Sequence, residues 1–195
     1  MSHQVIIDFL NQYLTLTEEE KELVRIHSEV REFSKGTILL HQGEVARECY
    51  MVLKGCIRAY HTKDGEEETI EIFTENHPFT PASYATHEPS EISVVCEEDC
   101  VLSLGSMEKT QELLTTIPRL GEIAHLVGTD LMAKQQVQYI EFKNLTPLER
   151  YQKLLKTRPE LINRVKQYHL ASYLGIKPET LSRIRKKLSL QESIS

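Results

Sequence analysis

The chain reads as an α+β protein in three parts: an N-terminal β-roll of the double-stranded β-helix or jelly-roll-like kind, a long central helix, and an all-α C-terminal domain. Three observations predict this. Short β-branched or aromatic runs recur about every ten residues between Val30 and Gly105, the cadence of an all-β barrel or roll. From Ile117 to Phe142, beyond Pro118 at its very start, no strong helix breaker intervenes except Gly121 and Gly128. Residues 169–188, HLASYLGIKPETLSRIRKKL, divide into two short helical patterns around a turn. The predicted parts are 1–115, 116–143 and 144–195.

Residues 5–27 hold amphipathic helical segments, with a cap expected at Thr15 or Thr17. Glu18 to Glu20 would then fill a first turn, where negative charge complements the helix dipole. After Val30 and Phe33 come ILL at 38–40, YMVLKG, CIRAYHT, EETIEIF, EISVVCEE and CVLSLG as candidate strands. Asp64-Gly65 is the clearest turn signal and predicts a tight hairpin between RAYHT and EETIEIF. Residues 107–115 suit a short helix. A helix over 117–142 would span about 39 Å. Leu120, Ala124, Val127 and Leu131 give it a heptad-like stripe suited to a second copy of the chain. Lys134 and Gln138 then interrupt that stripe, and the apolar face shifts to Ala133, Val137 and Ile140. Packing of this helix on its own β-domain is the alternative. Thr146-Pro147 with Glu149 reads as an N-cap, a first helical proline and a capping box, and Arg158-Pro159 ends that helix.

The last segment is the most specific. Leu170, Ala171 and Leu174 give its first helix an apolar side, and Gly175 suits a helix C-terminus. Pro178 opens the next helix, and Leu181, Ile184 and Leu188 bury one face of it. Glu179, Thr180, Ser182, Arg183, Arg185, Lys186 and Lys187 remain outside. A short turn with a basic outer face is what a major-groove reader requires. Charge agrees: residues 144–195 carry 11 Lys and Arg against 4 Asp and Glu, a net of +7, while residues 1–143 carry −13. A basic end on an acidic body points to a polyanion site confined to that end.

Other classes find little support. Cys49, Cys56, Cys96 and Cys100 lack CxxC spacing and read as thiols in or near a core. The eight histidines form no HExxH or HxH pattern. No metal and no resident cofactor is predicted. A cupin-like metalloenzyme would draw on His41, Glu44 and His61, but it needs two close histidines on one strand. A ligand-binding module that does not bind DNA is the other alternative. No apolar run reaches membrane-span length, and the start lacks signal-peptide features, so a cytoplasmic location is expected.

The order of roll, long helix and helix-turn-helix resembles the bacterial transcription regulators related to the catabolite activator protein and the fumarate and nitrate reduction regulator. KGTILLHQGEVARECYMVLKGCIRAYHTKDGEEE looks like that family's cyclic-nucleotide-binding-type roll. LTPLERYQKLLKTRPEL and LASYLGIKPETLSRIRKKL resemble its DNA-binding end. The resemblance implies that Glu179 and Arg183 read bases, and that Lys177, Thr180, Ser182 and Lys186 touch phosphates or set register. A base-reading Arg usual in some members is Pro178 here, so a different operator is implied. Only seven residues follow Leu188, and a full wing hairpin is not expected.

At the sensor end, the family's cyclic-AMP contacts fall on a pocket around Phe79. The Gly-Glu pair corresponds to Pro81 and Ala82, and the Arg-Ser pair to Ser90 and Glu91. The ribose-binding carboxylate and phosphate-pairing arginine are therefore missing, and Glu91 would oppose a phosphate. No cysteine precedes Cys49, which disfavours an N-terminal iron–sulfur cluster. The resemblance implies a homodimer on double-stranded DNA that recruits or blocks RNA polymerase. Its recognition helices would be spaced about 34 Å apart.

Overall fold

The structure is a computed structural model and describes residues 2–192. Two helices open the chain, α1 (Ser2–Asn11) and α2 (Glu18–His27). Thr17 rather than Thr15 caps α2, through a reciprocal capping box with Glu20. Eight strands follow: β1 (Glu29–Phe33), β2 (Ile38–Leu40), β3 (Glu48–Lys54), β4 (Ile57–Lys63), β5 (Glu66–Phe73), β6 (Pro78–Phe79), β7 (Ser93–Cys96) and β8 (Cys100–Ser106). They form two antiparallel four-stranded sheets, ordered β1-β8-β3-β6 and β2-β7-β4-β5. Asp64 and Gly65 both take positive φ, 53° and 82°, as a tight hairpin turn between β4 and β5 requires. The short β6 and the helix α3 (Ala82–Thr86) between β6 and β7 carry too little periodicity to be read from sequence.

Strand alternation sorts side chains into separate cores. Val52, Leu102 and Leu104 of one sheet meet Ile57, Ala59, Val94 and Cys96 of the other, forming the inside of the roll. Met51 and Leu53, on the opposite side of β3, pack instead with Ile6, Ile7, Phe9 and Val24 of the N-terminal helices. The helices α4 (Met107–Thr116) and α5 (Arg119–Asn144) come next. Leu120 and Ile123 of α5 are buried in that same N-terminal cluster, with Val127 against it. The first part of the predicted inter-copy stripe therefore packs on the chain's own fold. Tyr13 Oη donates to Asp130 at 2.7 Å and fixes α5 further along.

From Met132 to Ile140 every residue of α5 is exposed. The head then follows as α6 (Pro147–Thr157), α7 (Leu161–Arg164), α8 (Gln167–Tyr173) and α9 (Pro178–Glu192). Thr146 caps α6 with Glu149 in a capping box and Pro147 at its first position, as the sequence predicts. Among the described residues, no helix is long and apolar enough to cross a membrane.

Candidate nucleic-acid interface and its junction with the roll

The helix-turn-helix is α8, a turn, and α9. Gly175 in the turn has φ +65°, a conformation cheap only for glycine, and its N–H donates to Ser172 O at 2.8 Å. Leu181 is 1% exposed and anchors α9 in the head core, with Ile184 and Leu188 packed against it. The opposite face carries Glu179, Ser182, Arg183 and Lys186, all exposed, with Lys177 exposed in the turn and Thr180 half-buried. Glu179 and Arg183 lie four residues apart, so they share one face. No ion pair among the described residues engages Lys177, Arg183 or Lys186. Such a face offers free guanidinium and ammonium groups, a carboxylate and hydroxyls to a polyanion carrying base edges.

The head does not sit apart from the roll. Its core of Tyr151, Leu154, Leu161, Val165, Leu170, Leu174 and Leu181 includes Cys56 and Ile72 of the roll, at 0% and 1% exposure. Alternation on β5 explains this, because Phe73 points into the roll while Ile72 points under the head. Thr69 N–H donates to Ser172 Oγ at 2.8 Å, and Arg158 Nη2 donates to Ile72 O at 2.7 Å. Arg164 donates to Glu75 at 2.8 Å through two nitrogens and also pairs with Glu98. Burial works to raise Glu75, yet hydrogen bonds from Arg164 and from Gly55 N–H hold it at about 2. Arg158 also lies 3.5 Å from Glu71 of β5, so two arginines of the basic head, Arg158 and Arg164, are engaged by roll glutamates and the charge free for a polyanion is smaller than the sequence count.

At the centre of the junction Arg58 of β4 is buried, donating to Glu97 and, at 2.7 Å, to Glu67. His169 of α8 is 3% exposed beside them. Its Nε2 lies 3.7 Å from Glu97 and its Nδ1 3.9 Å from Glu67, and Nδ1 has no hydrogen-bond partner among the described residues. Burial, then the charge of Arg58, pushes His169 below its ordinary value, and the two glutamates only partly offset this. Sequence reading missed this network. Its one signal was a charged Arg58 inside the apolar run CIRAYHT.

Three of the candidate sensor residues, Phe79, Pro81 and Ser90, are drawn into the roll's packing, whereas Ala82 and Glu91 are exposed. Phe79 lies 4.4 Å from Phe73 and 6.4 Å from Tyr50, ring centre to ring centre. Pro81 is fully buried and Ala82 is exposed at the start of α3. Ser90 is buried: its N–H donates to Glu44 O, its carbonyl accepts from Gly43, and its hydroxyl donates to Ile92 O at 2.8 Å. Glu91 is exposed. Of the residues a cupin-like site would use, His41 N–H donates to the Glu44 carboxylate, whereas His61 Nδ1 lies 2.7 Å from Glu91 O. Cys96 and Cys100 are buried in the roll core.

Residues 30–116 match the family described as cyclic nucleotide-binding domain. The cyclic AMP receptor protein of Thermus thermophilus is 25% identical over 178 residues, covering 87% of this chain and 81% of that protein. Among solved structures, the catabolite activator protein of Thermus thermophilus is similar with a TM-score of 0.57 and 22% identity, over 94% of this chain and 88% of its own. FixK2 of Bradyrhizobium japonicum gives a TM-score of 0.68 at 18% identity, over 85% of this chain and 86% of its own. The c-di-GMP-responsive regulator CLP of Xanthomonas campestris gives 0.67 at 19% identity, over 90% and 93%. These structural likenesses show a shared fold.

Proposed function

From a chain that carries a cyclic nucleotide-binding domain and is homologous to regulators of the catabolite activator type, transcription regulators rather than enzymes, we propose a sequence-specific DNA-binding regulator acting as a homodimer. The observation that carries this reading is the outer face of α9, where Arg183 and Glu179 stand exposed and unpaired while Leu181 anchors the helix from behind. Arg183 pairs with a guanine edge, Glu179 accepts from a cytosine amino group, and Lys177, Thr180, Ser182 and Lys186 hold phosphates or register.

A second copy is supported by α5. Leu126, Ala133, Val137 and Ile140 fall within about 60° of one another around the helix at 100° per residue. Leu126, Val137 and Ile140 are 38%, 54% and 50% exposed, an apolar stripe unsatisfied within one chain. This pairing sets the recognition helices about 34 Å apart, and the bound dimer recruits or blocks RNA polymerase. The roll does not take cyclic AMP in the manner of a cyclic AMP receptor. Proline and alanine stand at 81 and 82, the Ser90 hydroxyl is engaged, and Phe79 packs among Phe73 and Tyr50.

The test is a pair of substitutions measured on selected and random duplexes across a salt series. Arg183→Ala is expected to cost about 1–3 kcal/mol on the selected site and relax preference at one position. Lys186→Ala should weaken all sequences alike and flatten the salt dependence. Equal loss on both duplexes for Arg183→Ala would sink the base-reading role.

A further inference from the structure

We propose that Phe142 is the positioning residue that fixes the helix-turn-helix against the end of α5, and so selects the distance between the two half-sites a dimer reads; this rests on the dimeric DNA-reading function proposed above. Phe142 is 47% exposed, which alone would mark it as a surface residue. Yet a Cβ built on Gly175 would lie 2.7 Å from its Cζ and 2.9 Å from its Cε2, so the ring fills the space in front of the turn. The Arg150 guanidinium lies 4.7 Å from the ring centre, and its Nη1 donates to Phe142 O at 2.9 Å and Leu145 O at 3.1 Å. The last turn of α5, the start of α6 and the helix-turn-helix corner therefore meet around one ring.

The surroundings make that ring decisive. Beyond Tyr13–Asp130 the distal half of α5 stands exposed, and Ile140 of the inter-copy stripe lies two residues from Phe142. A cleft of about 1260 Å³ separates β5, the end of α5 and the head, lined by Glu66, Tyr139, Phe142, Tyr168 and Lys177 among others. Among the described residues, the end of α5 is also tied to the head by the Arg150 bonds to Phe142 O and Leu145 O, which hold the α5–α6 joint and not the helix-turn-helix corner, and by the part-exposed, soft Glu141–Lys153 ion pair. Without the ring the exposed end of α5 can shift toward the head, which the roll holds in place, until another group stops it. A shift of about 3.4 Å is one base-pair rise, enough to change which spacing fits.

Selection from a pool of random duplexes tests this, reading the half-site sequence and the distance between paired half-sites for wild type, Phe142→Ala and Phe142→Leu. Wild type should select inverted half-sites at one dominant spacing. Phe142→Ala should select the same half-site sequence, with its preference for that spacing over neighbouring ones reduced about tenfold. Phe142→Leu, which keeps an apolar side chain there but stops short of Gly175, should recover only part of the preference. An unchanged spacing for Phe142→Ala overturns the proposal. So does loss of half-site sequence preference at an unchanged melting temperature, since the ring would then shape the reading head itself. If wild type selects no sequence, or only lone half-sites, the dimeric DNA-reading function falls and takes this inference with it. That failure shows in the wild-type arm alone.

Discussion

Ile72→Ala tests whether the roll and the head are one cooperative body. Ile72 is 1% exposed and sits among Leu154, Leu161, Leu170 and Leu174 of the head, though it belongs to a strand of the roll. Removing three carbons forfeits about 2.4 kcal/mol of transfer free energy. A cavity left partly open adds on the order of 1 kcal/mol or more, giving roughly 3–4 kcal/mol, inside the usual range for such a change. For a chain of this length that corresponds to a fall of about 10 °C in melting temperature. Scanning calorimetry with limited proteolysis of the head reads it out. One transition should move as a whole, and α8 and α9 should become cleavable together with β5. Two transitions with only the roll's displaced, or a loss below about 1 kcal/mol, would refute the shared core.

Two further outcomes follow from the site. Titration calorimetry with cyclic AMP should show no binding at micromolar concentrations, and a micromolar or tighter isotherm would overturn the reading of Pro81, Ala82, Ser90 and Glu91. His169 lies below its ordinary value in the folded chain, so its neutral form is favoured there and its contribution is present above the unfolded value near 6.5. That contribution is lost as pH falls through 6.5 toward the folded value, so melting temperature should drop over this window, and less so in His169→Gln; identical pH profiles would remove His169 from the balance.

Signals confined to a few residues were legible in the sequence. Asp64-Gly65 took the two positive φ values its turn needs, and Thr146, Pro147 and Glu149 formed the expected cap. Gly175 and Leu181 stand where the helix-turn-helix spacing put them. What could not be read was which surface covers an apolar or charged side chain. The stripe from Leu120 to Leu131 has a sound period, but Leu120 and Val127 are covered by the chain's own α1, α2 and β3. Periodicity identifies a face and not its partner. Arg58 looked like an ordinary alternating residue of β4, because its partners lie 9 and 39 residues away and His169 comes from the far domain. The head's +7 likewise included Arg158 and Arg164, which only the fold assigns to roll glutamates.

The shared core bears on where this molecule is able to change shape. Swinging the head off the roll would expose Cys56, Ile72, Leu161 and Leu170, and each large apolar side chain costs about 1.5–3 kcal/mol to bare. It would also part Arg164 from Glu75 and Glu98, and open the buried Arg58–Glu97 pair to solvent on the face His169 now covers. The distal half of α5 holds no comparable set of contacts with the roll among the described residues: residues 132–140 are exposed, and its end meets the head through Phe142, the Arg150 bonds to Phe142 O and Leu145 O, and the Glu141–Lys153 pair. The least costly rearrangement therefore moves the distal half of α5 relative to a rigid roll–head body, while Leu120 and Ile123 stay packed on the N-terminal cluster. In the proposed dimer, a signal reaching α9 would act by changing how two such bodies are spaced, and leave the face of Glu179 and Arg183 itself unaltered.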